Sequence, residues 1–379
     1  MTKTKSGSFA VIGATALLLP LAAHAQSFTT LHSFSGGIDG ANPYSVGLFN
    51  VGGTLYGTTQ GGGTSNAGTV FKINPSAGAE AVLYSFAGGS DGQSPSAGLL
   101  NFGGILYGTT SGYPHATGTV FKFDPASGTE TVLHNFSGND GSQPWAALIK
   151  VGKEFYGTTA FGGASGSGTV FKVNPTTGAE KVLHSFANGS DGANPNGALL
   201  DAGGTLYGTT AFGGTSNDGT VFTINPKTGA ETVLYSFVGG FDGCEPFASL
   251  INVGGTIFGT ASACGTFSSG AVFSINPTTG AEKVVYSFAG GGDGANPQSA
   301  LLDIKGMLYG TTASGGTSGF DGTVFEFNPA TGGETVLHSF DGSDGESIHG
   351  AVVKVGKLLY GTAYFGGNSN LGTVFSLRP

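Results

Sequence analysis

Charge is scarce in this sequence. Only 10% of its 379 residues are Asp, Glu, Lys or Arg, against roughly 25% in ordinary soluble domains. The 14 basic residues form no cluster and the net charge is −9. Nucleic acid and anionic membrane surfaces, which are held by concentrated positive charge, are therefore not expected partners. A sustained 3.6-residue apolar period is also missing, so helices have no support. The longest apolar run, Phe9 to Leu21, is shorter than the roughly 20 residues of a membrane-spanning helix. Cysteine is limited to Cys244 and Cys264, and Trp145 is the one tryptophan.

The short apolar run has a role of its own. Lys3 and Lys5 precede it and Ala23-His24-Ala25 follows it, which is the pattern of a secretory signal peptide over residues 1–25. The mature chain, 26–379, is then expected to be secreted (extracellular, cell-surface or periplasmic), without membrane insertion once the signal is removed. An exported chain meets oxidising conditions, so a Cys244–Cys264 disulfide is expected.

Glycine is what the sequence has in excess, 72 residues of it, and it is periodic. The aromatic of an L-Y-G-T motif falls at Tyr56, Tyr107, Tyr156, Tyr207, Phe258, Tyr309 and Tyr360, at steps of 49 to 51 residues. A G-T-V-F motif recurs in step, and so does an Asp-Gly pair. Each of the seven units carries turn signals that divide it into four short strands. In the fourth unit these are expected at Gly197 to Leu200, Thr205 to Thr210, Thr220 to Ile224 and Glu231 to Phe237. Four-stranded units of this length indicate an all-β, seven-bladed β-propeller forming one domain over 26–379. The segment Thr29 to Phe34 matches Thr335 to Phe340, a fourth strand, and the last unit stops where its own fourth strand should begin. The N-terminal strand is thus expected to close the last blade, leaving no open sheet edge. A monomer is expected.

The motifs L-Y-G-T-T, G-G-x-S-x-x-G-T-V-F, N-P-x-T-G-x-E-x-V-L-Y-S-F and D-G-x-x-P together resemble the GloVer tandem-repeat family of bacterial surface proteins, over nearly all of residues 28–379. The resemblance implies export and a secreted or cell-surface location. It brings no established activity and no catalytic residues to carry over. A C-terminal sorting anchor, common in that family, is not seen before Pro379. Kelch-type propellers share the period and the double glycine but not the aromatic pattern.

Repeats this alike make their divergent columns informative. The most variable column follows the D-G-x-x-P proline and reads Tyr44, Ser96, Trp145, Asn196, Phe247, Gln298 and His349. It opens the innermost strand, so it should ring one mouth of the central channel. Aromatic rings stack on sugar faces and amides bond hydroxyls, so a glycan or another cell-surface ligand is the expected partner, and Tyr44, Trp145, Asn196, Phe247, Gln298 and His349 are the candidate binding residues. An unconstrained exposed column is the plainer alternative. Tyr113, Phe161, Phe212 and Phe365, in the loops between second and third strands, would either wall the same site or pack between blades.

Catalytic candidates are few. Glu245 and Glu346 are read as breaking a column of Asn42, Asn194 and Asn296, and with His349 they would have to serve a carbohydrate hydrolase or lyase. A purely structural cell-surface protein is the third reading. The stretch Gly88 to Gly92 fits a nucleophile-elbow pattern only formally, because no strand-to-helix turn surrounds it. No resident cofactor is expected. Asp39, Asp91, Asp140, Asp191, Asp242, Asp293 and Asp344 would form the only ring able to hold Ca²⁺, but Asp before Gly usually caps its own turn. Histidines 32, 134, 184 and 338 alternate with tyrosines in an outer-strand column and read as packing groups. The glutamates opening the fourth strands read as solvated partners of Lys72, Lys122 and Lys172.

Overall fold

The computed structural model describes residues 27–44 and 47–379; the signal peptide expected over 1–25 lies outside them. The described residues form seven four-stranded antiparallel sheets, six of them with their strands in sequence order. In the fourth these are Leu200–Ala202, Thr205–Thr210, Thr220–Ile224 and Glu231–Ser236, from the axis outward. The innermost strands of successive sheets approach one another, Leu200–Ala202 beside Ile251–Val253 for example. The last sheet combines Val353–Val355, Leu358–Ala363 and Thr373–Leu377 with the N-terminal strand Phe28–Ser33, in which Phe28 lies opposite Leu377 and Ser33 opposite Thr373. This is a seven-bladed β-propeller closed by its N-terminal strand, as the repeat count requires.

The third strand of each blade is buried on both sides because it lies between neighbouring sheets. Val221 packs with Phe237 and Phe273 on one side, and Phe222 with Phe186 and Leu206 on the other. Each blade meets the next through a pair of phenylalanines. The ring that ends each outer strand meets the G-T-V-F ring of the next blade edge to face, at centroid distances of 5.0 to 5.3 Å, in all seven seams. The G-T-V-F ring needs space, and the L-Y-G-T glycine gives it. A Cβ on Gly208 would stand 2.4 Å from Phe222 Cζ.

Two sequence expectations change here. The innermost strand of the fourth blade starts at Leu200 rather than Gly197. The preceding residues use their main chain sideways instead: the Thr158 hydroxyl donates to the Gly197 carbonyl, and the Ala198 N–H donates to Ser249 Oγ. Equivalent threonine bonds cross other seams, such as Thr209 to the Ala248 carbonyl.

The glutamates opening the outer strands are not solvated partners of lysine. Glu80, Glu130, Glu180, Glu231, Glu282 and Glu334 each bury one carboxyl oxygen without a hydrogen-bond partner. Among the described residues the ion pairs are all His–Asp. Each glutamate faces the D-G aspartate of the preceding seam, Glu80 facing Asp39 and Glu231 facing Asp191. Burial first, and that aspartate second, push all six up to about 7. At the closing seam Phe28 takes the glutamate's place and stacks on His338 at 3.7 Å.

Two outcomes follow from these seams. Gly208→Ala, which drives a methyl into Phe222, should lower stability by about 1–3 kcal/mol, read from the urea midpoint. Gly291→Ala, with nothing within 4 Å of the added carbon, should stay within about 0.5 kcal/mol of the parent. The glutamates give stability a pH slope. Their folded pKa, about 7, lies above the ordinary 4.5, so the stabilising contribution of the protonated form is complete below 4.5 and is lost as pH rises through 7. The urea midpoint should fall over that window, and Gln at all six positions should flatten the fall.

Candidate functional site

Six of the seven divergent side chains meet in one place. The D-G-x-x-P segment of each blade runs beside the loop between second and third strands, through bridges such as Ala41 with Gly61 and Ala193 with Phe212. Both sets of loops therefore share one face of the ring. Beyond the proline position the chain turns toward the axis, and Tyr44, Trp145, Asn196, Phe247, Gln298 and His349 line a single cavity of about 200 Å³. Alanines such as Ala198 and Ala248 lie between them and keep it open. Ser96, the seventh, is 1% exposed and sits outside the cavity, where its hydroxyl accepts from Gln60 Nε2 and donates to the Ser94 carbonyl.

Neighbouring rings fix the lining. The Trp145 and Phe247 rings stand edge-on to Phe161 and Phe212, at 5.7 and 6.3 Å. Tyr44 lies 5.2 Å from the His349 ring, and Tyr364 packs edge-on against both. The Tyr364 hydroxyl donates to Gln60 Oε1 at 3.0 Å, which links this support to the first blade. His349 Nδ1 lies 3.0 Å from Gln298 Oε1, so Nδ1 carries the proton and donates to this amide carbonyl. The imidazole opens on the cavity but is packed by protein on its other sides, and desolvation pushes it down to about 4. Burial, and then Tyr364, push the Tyr44 phenol up, so it keeps its proton. Asn196 Oδ1 is buried without a protein partner. Among the described residues no Asp, Glu, Lys or Arg lines the cavity.

In the fifth blade Cys244 is bonded to Cys264, with Cα atoms 5.4 Å apart. The bond ties the segment leading to Phe247 to the facing loop.

The sequence matches the Gloeobacter/Verrucomicrobia repeat over residues 18–115, 111–320 and 252–379. The chain belongs to this repeat family. No curated protein sequence matches it. Among solved structures it is similar to an oligogalacturonate lyase in complex with manganese, at 12% identity and TM-score 0.57, over 93% of this chain and 92% of that one. An oligogalacturonate lyase from Vibrio parahaemolyticus compares at 12% identity and TM-score 0.55, over 93% of each chain. The extracellular domain of a B. thetaiotaomicron protein described as a putative one-component system compares at 16% identity and TM-score 0.61, over 93% of this chain and 41% of that one. Likeness at these identities concerns the propeller fold alone.

The other sequence candidates of this family member lie elsewhere. Glu245 does occupy the asparagine column. In all seven repeats that position has a positive φ between 54° and 57°: Asn42 at 57°, Asn194 at 56°, Glu245 at 56° and Asn296 at 54°, for example. Asparagine is favoured there because it tolerates the left-handed region. Glu346 does not belong to that column. It bridges to Phe365 as Ala41 bridges to Gly61, and Ser347, with φ 56°, is the true counterpart. Neither glutamate lines the cavity.

The D-G aspartates cap their own loops at the outer seams. Asp39 accepts from the Ser35 N–H and contacts His32; Asp91 and Asp293 accept from Tyr84 and Tyr286; Asp140 and Asp344 contact His134 and His338. Asp242 accepts from Tyr235 and Asp191 from the Ala187 N–H. They are spread one to a seam and do not converge as a ring. Ligand atoms do converge within 4.8 Å at His32, Asp39 and Glu80, and at His134, Asp140 and Glu180, but these sets are on the circumference, away from the mouth.

Sequence reasoning missed Gln60 and Tyr364. Their column reads Gln60, Ser111, Ala160, Ala211, Ser262, Ala313 and Tyr364, so the same internal comparison held the signal one column before Phe365. Tyr113, 60% exposed, stands clear of the cavity. The site geometry is open to a direct check by NMR. The His349 ring should titrate near 4, and a midpoint near 6.5 would mean that the mouth is open to water and the packing described here is wrong.

Proposed function

We propose that the protein is an exported, non-enzymatic propeller that binds a glycan or another cell-surface ligand at the channel mouth. The observation that carries this reading is the convergence of three aromatic and three uncharged polar side chains, all from the column in which the blades differ most, in one cavity. Concave sites of this composition are the usual form of a small-molecule site. Rings cover the apolar face of a sugar and amides meet its hydroxyls. The cavity is smaller than the roughly 300–1,000 Å³ of pockets for drug-sized ligands, which favours the end of a chain entering it.

Hydrolysis is the weaker reading. It needs two carboxyl groups roughly 5–10 Å apart across the scissile bond, and the lining supplies none. The likeness to lyases supports no more than a shared fold. His349, neutral at pH 7, is the one lining group able to take up a proton, so a sugar lyase would have to rest on it. Export is supported by the composition of residues 1–25 and by a disulfide of the kind retained in oxidising compartments.

Trp145 is a reporter already in place. Titrating the purified mature chain with soluble oligosaccharides should give a saturable and stable shift of its fluorescence. Tyr44→Ala and Phe247→Ala should each weaken that binding about tenfold, in line with roughly 1.4 kcal/mol for a lost stacking ring. A shift that decays while new chain ends accumulate would mean turnover. A flat response over the whole panel would leave the mouth without a glycan.

A further inference from the structure

We infer that the channel mouth selects uncharged sugars and turns away uronates and other acidic sugars, a specificity that rests on the glycan-binding reading above. Two observations carry it, one inside the cavity and one around it.

Inside, no side chain can pair with a carboxylate. The lining is aromatic, amide, alanine, glycine and serine, with one imidazole. That imidazole is committed through Nδ1 to the Gln298 carbonyl, and its desolvation leaves it uncharged at neutral pH. Moving an anion from water into such a site costs several kcal/mol, and the neutral donors of the lining, with no cation among them, return only part of that cost. An uncharged pyranose carries no such cost. Its hydroxyls can meet the Asn196 and Gln298 amides and its apolar face can rest on Trp145, Phe247 or Tyr44.

Around the cavity, charge is segregated by face. Among the described residues, which leave out Lys3 and Lys5, none of the remaining lysines and arginines falls in a loop on the mouth side, whether between outer and innermost strands or between second and third strands. Those same loops hold 12 of the 23 acidic residues: the seven D-G aspartates toward the rim, four of them paired with histidine, and Asp218, Glu245, Asp321, Asp341 and Glu346. The lysines are placed in strands or at the opposite end of the ring, as Lys153, Lys227 and Lys305 are. An approaching polyanion therefore meets a negative field before it meets the cavity. A field of this kind acts over about 10 Å at 0.1 M salt and is screened at higher salt. The cost inside the cavity is not.

This separates the protein from what fold likeness would suggest, since two of the similar structures are lyases of an acidic oligosaccharide by name. The test is calorimetry on the mature chain with two matched sets. One set is neutral gluco-, galacto- and manno-oligosaccharides. The other is oligogalacturonates and alginate oligomers. At least one neutral ligand should bind, with acidic ligands of the same length 10-fold weaker or more. Raising the salt should narrow that gap without closing it and leave the neutral affinity unchanged. Gln298→Arg, which places a fixed cation in the cavity, should raise acidic-sugar affinity about tenfold; Asn196→Lys serves the same purpose if the first variant melts early.

Acidic sugars bound as tightly as neutral ones, with Phe247→Ala weakening both, would overturn the selectivity and leave the mouth as the binding site. Binding of neither set would remove the mouth reading itself, and the inference with it.

Discussion

The ring depends on an edge-to-face contact between two phenylalanines, made once in every seam. One ring closes an outer strand and the other sits in the third strand of the following blade, so each contact joins successive units and the seven together close the circle. Such a pair adds about 0.5–1.5 kcal/mol beyond the area it buries. Its larger effect is geometric. The second ring lies over a strand glycine with no room for a methyl group, so the pair fixes how far each blade leans on the next. The bonds from second-strand threonines to the next blade's carbonyls lie inside it, and the half-buried carboxyl pairs lie outside it.

A symmetric frame carries an asymmetric mouth. The seam residues repeat almost without change, whereas the six lining residues share almost nothing but their position. The packed frame tolerates this because the lining residues leave the ladder before the innermost strand begins, and their backbones are held by bonds to neighbouring blades. Side chains there can differ without disturbing a sheet. On the side of the seventh and first blades Tyr364, bonded to Gln60, supports the lining Tyr44 and His349, while Trp145 and Phe247 stand opposite with aromatic supports behind them.

Much of this was legible in the sequence because repetition fixes strand count, blade count and closure together. The lining column was legible for the opposite reason, as the place where repetition fails. What was not legible depended on contacts between units. The outer-strand glutamates look like surface charges when one blade is considered alone, and only the next seam shows that each faces an aspartate. Glu346 was assigned to the wrong column because Ile348 replaces the proline that marks the register in the other repeats. Tyr364 stands beside the more conspicuous Phe365, and only the fold shows which of the two turns inward.

The N-terminal strand completes the last sheet, and this has a bearing on how the chain reaches its folded state. Six blades are meanders of neighbouring strands that need only local pairing. The seventh needs Phe28–Ser33 to find Thr373–Leu377 across almost the whole length of the chain. Contacts of such high sequence separation are slow to form. Until that one forms, both the waiting strand and the third strand of the last blade present unpaired backbone, the kind of edge that recruits other chains. The circle is therefore sealed by one pairing of high sequence separation, and that pairing alone keeps the backbone edges of both strands covered.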